Sequence, residues 1–359
     1  MGQVTEQALP SMEPLSVPPL SVQPVRIRDV ASRAGVGVAT VSRVLNGRAH
    51  VAGPTKERVL TAMRELDYRP SSIARNLSFR RTMVVGVVVP FLTSPSAVER
   101  VRGIVEVLAA SDYDLALYDV ESEDRRRRAF ELLGRPDRTD GLLVVSLIPD
   151  AAAVARLQAA RIPCVLVDGS HPHLPHVISD DVHGGELATR HLLELGHRRI
   201  ALIGDKPPDP YRLGGSRDRT SGYQRALAQA GVASRPDYLR GGTQSREEAR
   251  AIAEELLGLP DPPTAVFACS DVEALGVLEA AAALGLHVPG DVSIVGFDDI
   301  EIASYVGLTT IRQPLLESGR RGAALLLATL AGGGATVSEE LGLELVARRT
   351  TGPPPKHDR

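Results

Sequence analysis

The chain has 359 residues, of which 43% are hydrophobic, and its net charge is −3. At about 150 residues per domain this length predicts two or three domains. No apolar run approaches the roughly 18 residues of a membrane span, and the N-terminus lacks the basic and apolar regions of an export signal. We therefore expect a cytoplasmic protein with no membrane partner. Cys164 and Cys269 each lie in an apolar run, which predicts reduced core residues.

The charge is distributed unevenly along the chain. Residues 25–82 contain 12 Arg and Lys against 4 Asp and Glu, a net charge of +8, whereas residues 83–359 contain 29 against 38, a net charge of −9. A compact basic module followed by an acidic body indicates a nucleic-acid partner for the module. Residues 1–24 carry five prolines without periodicity, so we expect a disordered tail there and a second one over residues 353–359.

Residues 25–70 have the pattern of a helix-turn-helix domain. Two short helical segments flank the sequence Gly35-Val36-Gly37, and a third segment follows Pro54. Apolar residues recur on one face of each segment, which predicts a small core of three helices. The expected core residues are Ile27, Val30, Ala31, Ala34, Val41, Val44, Leu45, Val59, Ala62, Met63 and Leu66.

The second of these helices has small residues on its outward side. Such a slim edge fits the major groove of DNA, which is about 12 Å wide, and an arginine there can bind a guanine through two hydrogen bonds. We expect DNA contacts from this helix, at Val38, Ala39, Thr40, Ser42, Arg43 and Asn46. The alternative for Arg43 is a solvated surface charge.

From Met83 onward, short β-rich runs alternate with helical stretches. The runs are VVGVVVP, DLALYDV, GLLVVSL, PCVLVD, HVISD, RIALIG, TAVFA and VSIVGF. This alternation predicts an α/β fold of doubly wound parallel sheets, and its length favours two lobes with a cleft between them. Ligands of such sheets bind beyond the carboxyl ends of the strands. Two other classes of protein have the same α/β fold. An uptake binding protein needs an export signal, which this sequence lacks, and an α/β enzyme needs a catalytic motif, of which we recognise none here.

The sequence resembles the LacI/GalR family of bacterial transcription regulators. The motifs that carry the resemblance are RDVASRAGV, ATVSRVLNG, TKERVLTAMRELDYRPSSIARNL, DGLLVVS, ELATRHLLELGHRRIALIG, SRDRTSGYQRAL, VFACSD, DVSIVGFDDI and LTTIRQP, within residues 26–351. The resemblance implies a homodimer on a pseudo-palindromic operator and a core like periplasmic sugar-binding proteins over residues 83–352. We expect lobe 1 at about 83–178 and 312–337, and lobe 2 at about 179–311 and 338–352.

Residues 71–82 correspond in the resemblance to the family's hinge helix and linker. This implies DNA contacts from Ser71, Ala74, Arg75 and Leu77, with Leu77 as a wedge in the minor groove that kinks the duplex. The alternative for Leu77 is a buried helix residue or a linker residue without a role.

The resemblance also places an effector site in the cleft. It implies effector contacts from Arg219, Ser270, Asp271 and Asp298, and we add Ser94, Ser96, Asp168 and Thr243. Arg219 and Asp298 suit a ligand rich in hydroxyl groups, although each is also compatible with a structural ion pair. Where many relatives carry aromatic residues after the first strand, this chain has the segment SPSAV at 94–98. This puts a plain hexose in doubt.

We therefore expect a non-enzymatic transcriptional regulator, most simply a repressor gated by a sugar or related polyhydroxy compound. A nucleoside or purine effector and a corepressor remain the alternatives. We expect no cofactor. The histidines of HPHLPH, His171, His173 and His176, suggest zinc or copper, but a solvated loop is the favoured interpretation and we expect no metal.

Overall fold

The computed structural model describes residues 25–45, 51–68, 81–205, 214–243, 245–333 and 338–356. The chain divides after Arg80 into two compact units, a head and a core, which are described separately. The expected N-terminal tail and most of the expected hinge lie outside the described residues. No helix within the described ranges is long and apolar enough to cross a membrane.

The described residues of the head form α1 (Ile27–Ala34), α2 (Val38–Leu45) and α3 (Gly53–Glu65). The carboxylate of Asp29 accepts the backbone N–H of Arg26 at 2.7 Å and closes the start of α1. Gly35 ends that helix at φ +65°, a conformation that favours glycine. The predicted core is observed: its fully buried members are Val30, Val41 and Val59, one from each helix.

The first sheet of the core is parallel throughout, in the order β11-β5-β4-β3-β1-β2 within the described ranges. Helices cover both of its faces. The strands are β1 (Val84–Val89), β2 (Asp114–Asp119), β3 (Gly141–Val145), β4 (Cys164–Val167), β5 (His176–Ser179) and β11 (Ser338–Leu341); the helices are α4 (Pro95–Leu108), α5 (Glu123–Leu133), α6 (Ala151–Ala160) and α12 (Leu315–Leu330).

The second sheet has the order β12-β10-β9-β8-β6-β7 in the described chain, parallel except for the antiparallel pair of β10 and β12. The strands are β6 (Ile200–Asp205), β7 (Leu239–Gly242), β8 (Ala265–Ala268), β9 (Ser293–Asp298), β10 (Thr309–Arg312) and β12 (Glu344–Val346); the helices are α7 (Asp181–Glu194), α8 (Gly215–Gln229), α9 (Arg246–Leu257), α10 (Asp271–Ala283) and α11 (Glu301–Val306). The predicted two-lobed α/β architecture is confirmed. Both cysteines are buried and free, as expected.

The chain passes between the two lobes before α7, after β10 and after β11. We expected residues 338–352 to belong to lobe 2, but β11 pairs with β5 in the first sheet. The boundary at 338 is therefore wrong, and the last passage lies between Leu341 and Glu344. The signal was weak because β11 is a short, polar edge strand.

Glycine allows close approach in several helix pairs, and two of these pairs position arginines that line the cleft. A Cβ atom at Gly319 of α12 would lie 2.0 Å from the carbonyl oxygen of Arg100 on α4. A Cβ atom at Gly185 of α7 would lie 2.1 Å from the carbonyl oxygen of Arg219 on α8. Only glycine permits backbones to pack this closely. Each glycine thereby fixes the position of an arginine on the neighbouring helix.

Candidate functional site

The outward edge of α2 is exposed in the head. Val38, Ala39 and Arg43 are exposed, while Thr40 and Ser42 are half-buried. The opposite side of α2 is occupied, because Val41 and Val44 pack into the head's core. A helix with one side buried and small residues on the other has the shape that enters a major groove.

Several predicted DNA contacts fall where the structure gives no description. These are Asn46 in the helix-turn-helix segment and Ser71, Ala74, Arg75 and Leu77 in the hinge segment; all five lie outside the described residues. Their roles stay predictions.

The core contains a cleft between its two sheets. It contains about 730 Å³ of space not filled by atoms, open solvent included. Residues that follow strands of the first sheet form one wall: Pro90, Phe91, Ser94, Ser146 and Asp168. The opposite wall comes from the start of α8 and from the ends of β8 and β9, with Ser216, Arg219, Ser270 and Asp298. The cleft lies where doubly wound sheets bind ligands.

Arg100 of α4 is the cation of the first wall. Its Nη2 lies 3.0 Å from a carboxylate oxygen of Asp168 and donates to Oε1 of Gln313 at 3.0 Å. The other carboxylate oxygen of Asp168 accepts a hydrogen bond from Ser146 at 2.6 Å. Arg100 is 3% exposed, and its Nε has no hydrogen-bond partner.

Arg219 of α8 is the cation of the opposite wall. Its Nε donates to Asp181 at 2.8 Å, its Nη1 donates to the carbonyl oxygen of Cys269 at 2.6 Å, and its guanidinium stacks on the ring of Phe297 at 3.7 Å. Burial opposes the charge, but the carboxylates of Asp181 and Asp298 outweigh it and raise the pKa of Arg219 above its ordinary value. The side chain is therefore held rigidly and charged.

Asp298 and Gln313 connect the two arginines. Nε2 of Gln313 donates to Oδ1 of Asp298 at 2.6 Å, while its oxygen accepts from Arg100. Asp298 also lies 4.0 Å from Arg219. Burial raises the pKa of Asp298 to about 6, although Arg219 and Arg100 act to lower it. Arginine, carboxylate and amide groups that converge in a buried cleft can bind several hydroxyl groups of one ligand.

The structure brings most of the predicted effector residues together. The cleft is lined by Ser94, Ser96, Asp168, Arg219, Ser270 and Asp298. Asp271 is not among the lining residues, because it is fully buried and its oxygens accept from Thr310 Oγ1 at 2.5 Å and the N–H of Ile300 at 2.9 Å. Thr243 is exposed and bonds to Glu248 instead. Asp271 and Thr243 therefore do not line the cleft, contrary to expectation.

Sequence reasoning missed Arg100, Ser146 and Gln313. A signal existed for Arg100, since it lies on the same helical face as the buried residues Ala97 and Ile104. Gln313 directly follows the carboxyl end of β10, where ligand contacts of parallel sheets occur.

The three histidines of the HPHLPH loop lie within the described residues and are not arranged as a set of metal ligands. The rings of His171 and His173 lie 5.6 Å apart, and Nδ1 of His176 contacts the carbonyl oxygen of Leu174 at 3.0 Å. Across the ranges that the structure describes, no group of three or more His, Cys, Asp or Glu side chains is arranged to hold a metal ion.

A helix-turn-helix head and a two-lobed core with a polar cleft define a DNA-binding regulator of the ligand-sensing type. Two family models match the chain: "Bacterial regulatory proteins, lacI family" over residues 26–71, and "Periplasmic binding protein-like domain" over residues 189–351. The HTH-type transcriptional repressor PurR of Aliivibrio salmonicida is 34% identical over 306 residues, which cover 84% of this chain and 90% of the relative.

Solved structures agree with these matches. The lac repressor dimer bound to operator and the anti-inducer ONPF is 29% identical, with a TM-score of 0.80, and the match covers 92% of this chain and all of that one. The transcriptional regulator CelR in complex with cellobiose is 33% identical, with a TM-score of 0.67 and coverage of 91% and 99%. The chain belongs to the lacI family of bacterial regulatory proteins. It is a sequence-specific DNA-binding transcriptional regulator.

Proposed function

We propose that the protein is a dimeric repressor that binds a pseudo-palindromic operator and is controlled by a small polyhydroxy effector in the cleft of its core. The observation that carries the effector assignment is the convergence of Arg100, Arg219, Asp298 and Gln313 from both lobes on one cleft. The relatives support the remainder, since PurR is a repressor and the lac repressor was solved as a dimer on its operator. Because these relatives are repressors, we propose no enzymatic activity and action on DNA in the bacterial cytoplasm.

A polyhydroxy effector suits the cleft better than a nucleoside does. Serine hydroxyls line both walls, at Ser94, Ser96, Ser146, Ser216 and Ser270, whereas Phe91 is the sole aromatic lining residue in the described chain. A purine base binds well where it stacks between flat side chains, but Phe297 already covers one face of Arg219 and Phe91 is a single aromatic ring. The matched regulator CelR was solved with a sugar, cellobiose.

We place the dimer contact on α11. Tyr305 is 71% exposed, and its apolar neighbours Ile302 and Val306 are also exposed. Exposed apolar residues grouped on one short helix are typical of a surface that pairs with a second protein. A second copy of this chain is the partner that the related dimer indicates.

Effector and operator affect each other's binding by the same factor, as linkage requires. A ligand that closes the cleft stabilises one arrangement of the lobes, because Gln313 bonds to Arg100 of one lobe and Asp298 of the other. If that arrangement binds operator less tightly, the ligand is an inducer; if it binds more tightly, the ligand is a corepressor.

The test begins with selection of binding sites from a pool of random duplexes. Fluorescence anisotropy then compares a selected duplex with a scrambled one at physiological ionic strength. We expect preferential binding of the selected duplex, and a change in its affinity when a compound from a panel of sugars, polyols, sugar acids and nucleosides is added. Equal affinity for both duplexes would refute operator recognition, and unchanged affinity with every compound would refute control by such an effector.

A further inference from the structure

We propose that the effector carries an anionic group, a carboxylate or a phosphate, which binds at the first wall of the cleft between the start of α4 and the guanidinium of Arg100. This inference rests on the proposed function, because it specifies the chemistry of the effector in the same cleft.

The unpartnered Nε of Arg100 is the first observation. In the part of the chain that the structure describes, two buried side-chain polar atoms lack a hydrogen-bond partner, and the Nε of Arg100 is one of them. A buried donor without an acceptor destabilises the structure, because it has lost its hydrogen bond to water and gained none in return. Arg100 lines the cleft and is 97% buried, so an acceptor supplied by a ligand relieves this deficit.

The start of α4 is the second observation. Ser94, Ser96 and Ala97 from this start line the cleft. The side chain of Ser94 makes no cap bond to the helix and lies 3.2 Å from the hydroxyl of Ser96. The N–H groups of the first turn are therefore not capped by Ser94. Such N–H groups and the partial positive charge of a helix N-terminus bind anions.

These donors lie close together. Arg100 is one turn into α4, and its Nη1 lies 3.5 Å from the carbonyl oxygen of Ser96. The nearby carboxylate of Asp168 is already engaged on both oxygens, by Arg100 and Ser146. Asp168 offsets part of the charge of Arg100, but its oxygens are occupied, so the donors left for a ligand on the first wall are the Nε of Arg100, the helix N–H groups and two hydroxyl groups. Donors of this kind bind an anion.

The opposite wall has the complementary chemistry. Asp298 offers carboxylate oxygens to hydroxyl groups, and Ser216 and Ser270 line the same wall. The Nε and Nη1 of Arg219 already donate hydrogen bonds to Asp181 and to the carbonyl oxygen of Cys269, so they are not available to an anion. The site thus fits a sugar acid or a sugar phosphate, with its anionic group at Arg100 and its hydroxyl groups at Asp298.

Paired probes test this assignment in the full-length protein. Thermal unfolding and isothermal calorimetry compare glucose, gluconate, glucose 6-phosphate and inorganic phosphate at constant pH and ionic strength. We expect an anionic probe to raise the melting temperature and glucose to do so less. Gluconate and glucose 6-phosphate separate the carboxylate from the phosphate as the preferred group.

Arg100→Gln should lower the affinity for the anionic probe by about 10-fold to 100-fold, as expected for loss of a charge-assisted hydrogen bond. Arg102→Gln is the matched control, because Arg102 lies on the same helix with 61% of its side chain exposed. The inference is overturned if no anionic probe stabilises the protein, if glucose binds as well as the anions, or if the two variants behave alike. The wild-type comparison of glucose with the anions decides the matter even if Arg100→Gln does not fold.

Operator binding distinguishes this inference from the proposed function. A neutral compound that alters operator affinity while the anions do not bind would overturn the inference and support the function. Anion binding that depends on Arg100 but leaves operator affinity unchanged would support the inference and overturn effector control.

Discussion

Glu273 is a buried carboxyl group behind the second wall of the cleft, and its replacement by glutamine should change how stability depends on pH. It lies on α10 with 1% exposure, and its Oε2 accepts a hydrogen bond from Ser270 at 2.9 Å. Its Oε1 has no partner. Burial, with a smaller contribution from Asp205, raises the pKa of Glu273 to about 8, although Ser270 and Arg219 act to lower it.

The magnitude follows from linkage. The ordinary pKa of glutamate is 4.5, so between about pH 5 and 8 the unfolded chain ionises Glu273 while the folded chain keeps it protonated. A raised carboxyl pKa means that stability is lost as pH rises through this window, by about 1.4 kcal/mol per pH unit. At pH 7 this amounts to roughly 3 kcal/mol. Glutamine does not ionise, so the stability of Glu273→Gln should not decrease with pH for this reason.

Urea unfolding followed by circular dichroism at pH 5, 6, 7 and 8 measures the effect. The stability of Glu273→Gln minus that of wild type should increase with pH, by roughly 4 kcal/mol in total across the window. Comparison across pH removes any constant contribution from the unpaired amide group. Glu279→Gln is the control, since Glu279 lies on the same helix with 41% of its side chain exposed. Parallel stability curves for Glu273→Gln and wild type would refute the reasoning.

Three further predictions concern DNA, effector and assembly. Arg43→Ala should weaken binding to a selected operator by about 1 to 3 kcal/mol and relax preference at one base pair per half-site, and an equal loss on random DNA in anisotropy assays would contradict base reading. Asp298→Asn should leave operator binding intact but raise the effector concentration needed for a response by about 10-fold or more, and an unchanged response would exclude Asp298 from the site. Tyr305→Asp should shift the sedimentation velocity profile from dimer towards monomer, whereas Leu284→Asp, at another exposed apolar residue, should not; an unchanged profile would place the contact elsewhere.

The strands that the sequence predicted share a visible physical property. β1, β3, β4, β8 and β9 are apolar runs whose side chains are almost wholly buried, so hydrophobicity alone identifies them. β10 lies inside the second sheet yet escaped notice, because two of its buried side chains are threonines. Thr309 and Thr310 satisfy their hydroxyls with Thr351 and Asp271. The burial of these threonines depends on hydrogen-bond partners that are distant in sequence. The periodicity of hydrophobic residues along the chain gives no information about such partners.

The sequence also predicted some of the residues that line the cleft and missed others. Six of the residues predicted for the effector site line the cleft. Ser94, Ser96, Asp168, Ser270 and Asp298 lie at or soon after the carboxyl ends of strands, which the fold brings to one edge, whereas Arg219 lies within α8 and was implied by the family resemblance. Arg100 comes from the interior of a helix rather than from a strand end, so this rule does not find it. Asp271 follows a strand but turns inward to Thr310 and Ile300. The direction of a side chain depends on its hydrogen-bond partners, which the order of residues does not specify.

The glycines that separate the paired helices have a consequence for how ligand preference changes over generations. Gly319 presses on the backbone of Arg100 and Gly185 on that of Arg219, yet neither glycine lines the cleft. A methyl group at either place would push an arginine away from its present position without altering any lining side chain. Selection for a response to a new inducer should therefore recover substitutions at these two remote positions as well as inside the cleft.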